Sequence, residues 1–169
     1  QVLLKHGVSL EAGTRIVGCD EDGPAALIVD DGRRLPCDLA IWVTGAAPPP
    51  FLARAGLPLA ENGFLSARDT LQVVGHDDLF ATGDVAELPA SVPKAGVYAV
   101  RQGPILWENL RRWFTGEPPI TYQPQADFLS LLNCGDGTAI LDYRGWALRG
   151  RWIRWWKDRI DRRFVERFR

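Results

Sequence analysis

The sequence predicts an α/β protein, and three observations carry that prediction. Short extended segments near the start are joined by turns too brief for crossover connections, so they pair antiparallel. Two apolar runs, Leu39 to Val43 and Leu79 to Ala81, each end in Thr-Gly, the pattern of strands buried on both faces. One long stretch, Tyr98 to Phe114, repeats its apolar residues at helical spacing.

Composition narrows the function classes. The chain has 169 residues, 46% hydrophobic and 24% charged, which is globular and excludes disorder. Twenty basic against 21 acidic residues give a net charge of −1, which excludes a uniformly basic nucleic-acid binder. No apolar run approaches the roughly 18 residues of a membrane span. Cys19, Cys37 and Cys134 lie far apart with no CxxC, which argues against a disulfide scaffold, a zinc ribbon or a redox pair and fits a reducing, cytoplasmic setting. His6 and His76 are too few and too scattered for a histidine-based metal site. The chain opens on Gln1 without signal-peptide features and reads at once as ordered structure, so a segment of a longer protein is expected.

Taken in order, Val2 to Leu4 reads as a helix end stopped by Gly7, with a short strand from Val8. Thr14 to Cys19 and Ala25 to Val29 are strands. Asp31-Gly32 is a two-residue hairpin signal leading into a further extended run, completing an antiparallel meander. Asp20-Glu21-Asp22 reads as a solvated turn. Leu39 to Val43 is the first buried strand, and Ala46 to Pro50 ends regular structure, because successive prolines remove donors. Phe51 to Ala55 is a short helix stopped at Gly56. Phe64 to Ser66 and Leu71 to Val73 are short strands, and Leu79 to Ala81 is a second buried one. The long helix carries an apolar stripe of Val97, Val100, Ile105, Trp107, Leu110 and Phe114, with Gly103-Pro104 predicting a kink or break. Gly116 to Pro119 is a linker. Beyond it come an apolar run from Asp127 to Leu132, a turn from Asn133 to Gly137, a strand from Thr138 to Leu141, and an amphipathic helix from Arg149 to Arg169.

The chemistry gathers at the two Thr-Gly punctuations, Thr44-Gly45 and Thr82-Gly83-Asp84. Glycine there removes the Cβ that would obstruct a ligand, and open α/β sheets bind ligands at such strand ends. Asp84 can accept hydrogen bonds from sugar-like hydroxyls. Lys94-Ala95-Gly96 opens the long helix, whose first amides favour partial negative charge. Taken alone, Thr-Gly-Asp reads as a turn cap, and Lys94 as a solvated charge.

Leu79-Phe80-Ala81-Thr82-Gly83-Asp84-Val85 resembles the second flavin-contacting motif of the pyridine nucleotide-disulfide oxidoreductase superfamily. Ile41-Trp42-Val43-Thr44-Gly45-Ala46 is similar to its connecting Ala-Thr-Gly motif, and the preceding meander resembles the end of its NAD(P)H domain. Residues 122–129, 133–140 and 156–164 resemble type II NADH dehydrogenase-like proteins associated with selenide, water dikinase. The resemblance implies a partial FAD/NAD(P)-binding fold. Residues 1–38 would end the NAD(P)H domain, 39–116 would be the last part of the FAD domain, and 117–169 an α+β extension.

It further implies FAD as cofactor and NAD(P)H as hydride donor, with electrons passing to a quinone or another small acceptor. Thr44, Gly45, Thr82, Gly83, Asp84, Lys94, Ala95 and Gly96 would be cofactor-binding. Asp84 would bond the ribityl chain, and Ala95 and Gly96 would aim amides at the flavin's pyrimidine edge. The family's Gly-x-Gly-x-x-Gly fingerprints are absent, and Gly135-x-Gly137 has Ile140 where the third glycine belongs. The chain alone is therefore expected to be inactive. The other reading is a non-catalytic, flavoprotein-derived module whose basic, Trp-rich C-terminal helix binds a membrane surface or a selenide, water dikinase partner.

The last helix bears on either reading. Residues 149–169 hold nine basic and three acidic residues, a net of +6, which leaves −7 on the rest. Trp152, Ile153, Trp155, Trp156, Ile160, Phe164, Val165 and Phe168 supply an apolar face. Such a helix serves as a peripheral membrane attachment or packs on protein, and Asp158, Asp161 and Glu166, which interrupt its basic face, tilt the reading toward packing.

Overall fold

The computed structural model describes residues 2–5, 7–20 and 25–167. His6, Glu21, Asp22 and Phe168, which figured in the expectations above, lie outside the described residues. The chain forms two compact units, Gln1–Thr44 and Gly45–Arg169.

In the first unit, α1 (Val2–Lys5) is followed by Gly7 at φ +73°, the expected glycine stop, but the strand expected from Val8 does not form, and residues 8–15 have no regular structure. The meander is present as β1 (Ile16–Asp20), β2 (Ala26–Val29) and β3 (Arg34–Pro36), antiparallel in that order. Its second turn is not the two-residue hairpin that Asp31-Gly32 suggested. Val29 donates to Arg33 O at 3.0 Å, so three residues form the loop, and Gly32 alone takes the left-handed conformation, at φ +86°. The Asp31 carboxylate accepts from the Arg33 backbone amide at 2.9 Å and from its guanidinium at 2.7 Å, and these bonds lower its pKa.

The expected buried strand at Leu39–Val43 is the clearest correction. Residues 39–49 have no regular structure, and Ile41 and Val43 are 77% and 92% exposed. An apolar run is buried only where a neighbour covers it, and no described strand pairs with this one.

In the second unit, Leu52–Arg54 forms a single 3-10 turn ahead of Gly56, close to the expected short helix. β4 (Leu65–Ser66) pairs parallel with β5 (Ala86–Glu87). Leu71–Val73 and Leu79–Ala81 are joined only through isolated bridges, so the second buried strand is an extended segment rather than part of a sheet. Their side chains nonetheless enter the core, where Leu71 and Val73 are fully buried and Ala81 nearly so, together with Ala86 of β5 and Tyr122.

The long helix, α2 (Gly96–Thr115), runs through Pro104 without a break, where a kink or a break was expected. It ends at Gly116 in the left-handed conformation, whose amide reaches the carbonyls of Arg112 and Trp113. Its buried face also differs from the expected stripe. Tyr98, Gln102 and Asn109 are buried, whereas Val100, Trp107 and Phe114 are exposed. Two polar side chains select that face. Gln102 bonds the Gly83 amide, and the Asn109 amide donates to Thr70 O at 2.7 Å and Ile120 O at 2.9 Å while accepting from Ile120 N at 2.7 Å. The expected linker is accordingly tied back to the helix, with the Arg112 guanidinium donating to Pro118 O at 3.0 Å.

The remaining residues form an antiparallel sheet of β6 (Ser130–Asn133), β7 (Ala139–Tyr143) and β8 (Trp146–Gly150), followed by α3 (Arg151–Glu166). β8 was absent from the sequence expectations. Ile153 of α3 is fully buried against Ala139 and Leu141, while Trp152, Trp155 and Val165 stay exposed, so the apolar residues of α3 do not form one buried face.

Candidate functional site

Gly83 leads a single 3-10 turn, Gly83–Val85, at φ +65°. A Cβ built there would sit 3.4 Å from Ala99 Cβ, so the turn lies directly against α2 and glycine is needed for both its conformation and its closeness. The Gly83 amide donates to Gln102 Oε1 at 2.6 Å, and Gln102 is 2% exposed. This bond spans 19 residues and fixes the turn to the helix.

Asp84 is exposed and makes no hydrogen bond or ion pair with any described residue. The turn-cap reading of Asp84 therefore finds no bond to support it: the cap position is Thr82, extended, without a side-chain bond. Ala95 caps α2 with no side-chain hydrogen bond, which leaves the helix's first amides open. Gly83, Asp84, Pro93, Lys94, Ala95 and Tyr98 line one shallow depression. The structure thus brings together the turn and the helix terminus that the sequence singled out.

Lys94 acts differently from a free charge. Its ammonium donates to Ala86 O, pairs with Glu87 Oε2 at 2.8 Å and lies 4.4 Å from the centre of the Phe64 ring. The same pairing lowers the Glu87 pKa. Lys94 thereby clamps the segment entering α2 onto β5. Thr44 and Gly45 are exposed, lie at the boundary between the two units and do not line the depression.

Sequence reasoning missed Gln102, whose only signal is a polar residue four positions after Tyr98 on a helix. It also missed an adjoining cleft of about 730 Å³, with walls that include Ala95, Val97, Arg101, Phe128, Leu131 and Ile160. Phe128 meets Tyr98 edge-to-face at 5.7 Å, which holds the cleft's rim to α2. The Tyr122 hydroxyl and both polar atoms of the Gln125 side chain are buried without a partner, and burial pushes the Tyr122 pKa up.

The sequence profile of the pyridine nucleotide-disulphide oxidoreductases matches residues 1–103. The chain belongs to that family. The match contains both Thr-Gly segments, the Asp84 turn and the first part of α2. This member of the pyridine nucleotide-disulphide oxidoreductases is 28% identical over 157 residues to ferroptosis suppressor protein 1 of Xenopus laevis, covering 88% of this chain and 41% of that protein. It is 27% identical over 169 residues to the type II NADH:quinone oxidoreductase of Staphylococcus haemolyticus, covering 96% of this chain and 41% of that one. A solved structure of an FAD-dependent pyridine nucleotide-disulphide oxidoreductase from Desulfovibrio vulgaris superimposes with a TM-score of 0.59 at 27% identity, over 83% of this chain and 36% of the other. The chain spans about two fifths of the length of the curated relatives it matches.

Proposed function

We propose that the protein carrying this chain is an FAD-dependent oxidoreductase that takes a hydride from NAD(P)H and passes electrons to a quinone. The carrying observation is the open Asp84 carboxylate beside the left-handed Gly83, in one depression with the uncapped start of α2. These residues fit a flavin. The Gly83 turn has no Cβ to block close approach, and a Cβ at Gly96 would meet nothing within 4 Å.

In this reading Asp84 accepts hydrogen bonds from ribityl hydroxyls. The first amides of α2 donate to the pyrimidine edge, where their partial positive charge favours the negative charge of reduction. Gln102 and Lys94 hold those two elements in register, one through the Gly83 amide and the other through β5. A cofactor-binding role for Thr44 and Gly45 rests on the family resemblance of their Thr-Gly segment alone. The flavin, when bound, supplies the two-electron chemistry between nicotinamide and acceptor.

The cleft adjoining Ala95 supports the acceptor assignment. Val97, Phe128, Leu131 and Ile160 in its walls offer apolar surface to a flat head group, beside the charged Arg101, Asp127, Lys157 and Asp161, and Arg101 can attract the oxygen that gains charge. The Staphylococcus haemolyticus relative is by name an NADH:quinone oxidoreductase, which supports the same acceptor. The free thiols of Cys19, Cys37 and Cys134 fit a cytoplasmic setting.

An absorbance spectrum of the full-length protein tests the reading. Flavin bands that bleach when NADH is added without oxygen are expected, and Asp84→Ala lowers the flavin-to-protein ratio severalfold. A colourless protein that takes up no added FAD overturns the proposal, as does full flavin occupancy in Asp84→Ala.

A further inference from the structure

The cleft beside the start of α2 holds one charge that nothing in its walls answers. Its ionic lining groups are Arg101, Asp127, Lys157 and Asp161. Three of them are already paired. Asp127 accepts from the Arg144 guanidinium at 2.7 Å. Lys157 pairs with Asp161 at 2.5 Å, one turn along α3. Arg101 is exposed and makes no hydrogen bond or ion pair with any described residue. Both carboxylates of the cleft are therefore neutralised, and one guanidinium keeps its full charge.

The backbone beneath Arg101 is fixed although its head is free. The next residue, Gln102, is buried and accepts from the Gly83 amide at 2.6 Å. Tyr98, three residues earlier, is buried and meets Phe128 of the opposite wall edge-to-face at 5.7 Å. Val97, four residues earlier, shares the wall with Arg101 at the spacing of one helix face. Ala95, Val97 and Arg101 all belong to the opening of α2, so the partial positive charge of the helix lies on the same wall. Phe128 and Tyr143, 37% and 38% exposed, contribute aromatic rings. A volume of about 730 Å³ holds two fused rings with room for a chain.

These walls sort ligands by charge. A cation meets Arg101 and finds both carboxylates paired. A neutral ring covers the guanidinium in part and returns no bond for the water it displaces. A ligand with one anionic group gives the guanidinium fork a two-oxygen partner, which is a strong, charge-assisted contact. We infer that this cleft takes a flat aromatic compound bearing one anionic substituent, a carboxylate, a sulfonate or an ionised hydroxyl, held by Arg101. On the reading of the cleft as the acceptor's place, on which this rests, the acceptor is a quinone that carries negative charge on or beside its ring before it is reduced. Arg101 is then the residue that determines specificity.

Two redox-inert probes of one shape test it: 2-naphthoate and its neutral amide, 2-naphthamide, in equilibrium dialysis against the oxidised full-length protein at neutral pH and low salt. Naphthoate is expected to bind tighter by about tenfold or more, the worth of one charge-assisted contact. Arg101→Gln brings the two affinities together and leaves that of the amide nearly unchanged, and Arg101→Lys keeps part of the preference. Asp161→Asn frees Lys157 in the same cleft and raises naphthoate affinity severalfold. Arg101 and Asp161 are exposed, so each variant keeps the wild-type circular dichroism spectrum. Equal binding of the two probes to wild type overturns the inference, as does binding of neither or a preference that survives Arg101→Gln. A preference indifferent to Asp161→Asn places the anion outside the cleft and overturns it as well. Bleaching of the flavin bands by NADH is recorded on the same preparations. Normal bleaching without any preference between the probes sinks the charge selectivity alone. A preference in a protein that takes up no flavin sinks the redox reading and leaves an anion-selective cleft whose ligand is no electron acceptor.

Discussion

Two segments of this chain end in Thr-Gly and read alike, yet they meet opposite fates. In the second, Val73 donates to Leu79 O at 2.8 Å and Ala81 to Leu71 O at 2.9 Å, so residues 71–81 close on themselves. That closure buries Leu71 and Val73 completely. In the first, residues 39–48 donate no backbone hydrogen bond to a described residue, and Val43 is 92% exposed. The difference is local supply. The second run has its own partner within ten residues and α2 to lie against, while the first has neither. Apolar character states a demand for cover, and only neighbouring chain meets it.

The largest expected effect separates the two. Leu71→Ala opens a cavity in the main core and lowers unfolding stability by about 2–5 kcal/mol. The left-handed φ of +66° at Leu71 is borne by Ala as well, so the loss reads burial rather than backbone strain. Ile41→Ser in residues 1–169 changes stability by less than about 0.5 kcal/mol, the range of exposed substitutions. Denaturant titration measures both. The comparison sharpens when Ile41→Ser is repeated in the full-length protein. A cost rising toward that of Leu71→Ala there means the first run is covered by chain beyond these residues, and a cost unchanged means it is a surface strip.

The uneven legibility of the sequence has the same origin. Asp84, Gly83 and the start of α2 were readable because each depends on local chemistry: a positive φ, a short turn, a helix beginning. The helix was readable from its period, but its buried face was not, because Gln102 and Asn109 choose that face through bonds to residues 19 and 11 positions away. The β7–β8 hairpin escaped for a related reason. Its turn places Arg144 at φ +50° beside Gly145 at φ +80°, a conformation for which Asn-Gly is the usual signal. Here the Arg144 guanidinium is held by Asp127 at 2.7 Å and lies over the Tyr143 ring at 5.3 Å, so a tertiary ion pair accompanies a turn that the local sequence does not announce.

A smaller effect loosens the second segment without touching its core. Gln102→Leu fills the same space but leaves the Gly83 amide without its acceptor, an expected loss of about 1–3 kcal/mol. Gln102→Glu keeps an oxygen in place and restores much of it. Flavin affinity in the full-length protein falls with Leu and recovers with Glu, because the turn that carries Asp84 is held through this bond. If Leu lowers stability but leaves flavin affinity intact, Gln102 supports the fold without positioning the site.

The smallest effect lies at the far end of α2, where charge rather than burial sets the balance. Glu108 accepts from Arg111 and Arg112, and those bonds hold its pKa at about 2 against an ordinary 4.5. A carboxylate whose folded pKa is depressed contributes stability above its unfolded pKa and loses that contribution as pH falls through the folded one. The window here runs from about pH 4.5 down to about 2. Glu108→Gln therefore lowers the melting temperature slightly at pH 6, and the gap to wild type closes as pH approaches 2. The pairs are exposed, so the gap also shrinks with added salt. A gap constant across that pH range would mean that the arginine pairs add nothing and that α2 is held by Gln102, Asn109 and its apolar contacts alone.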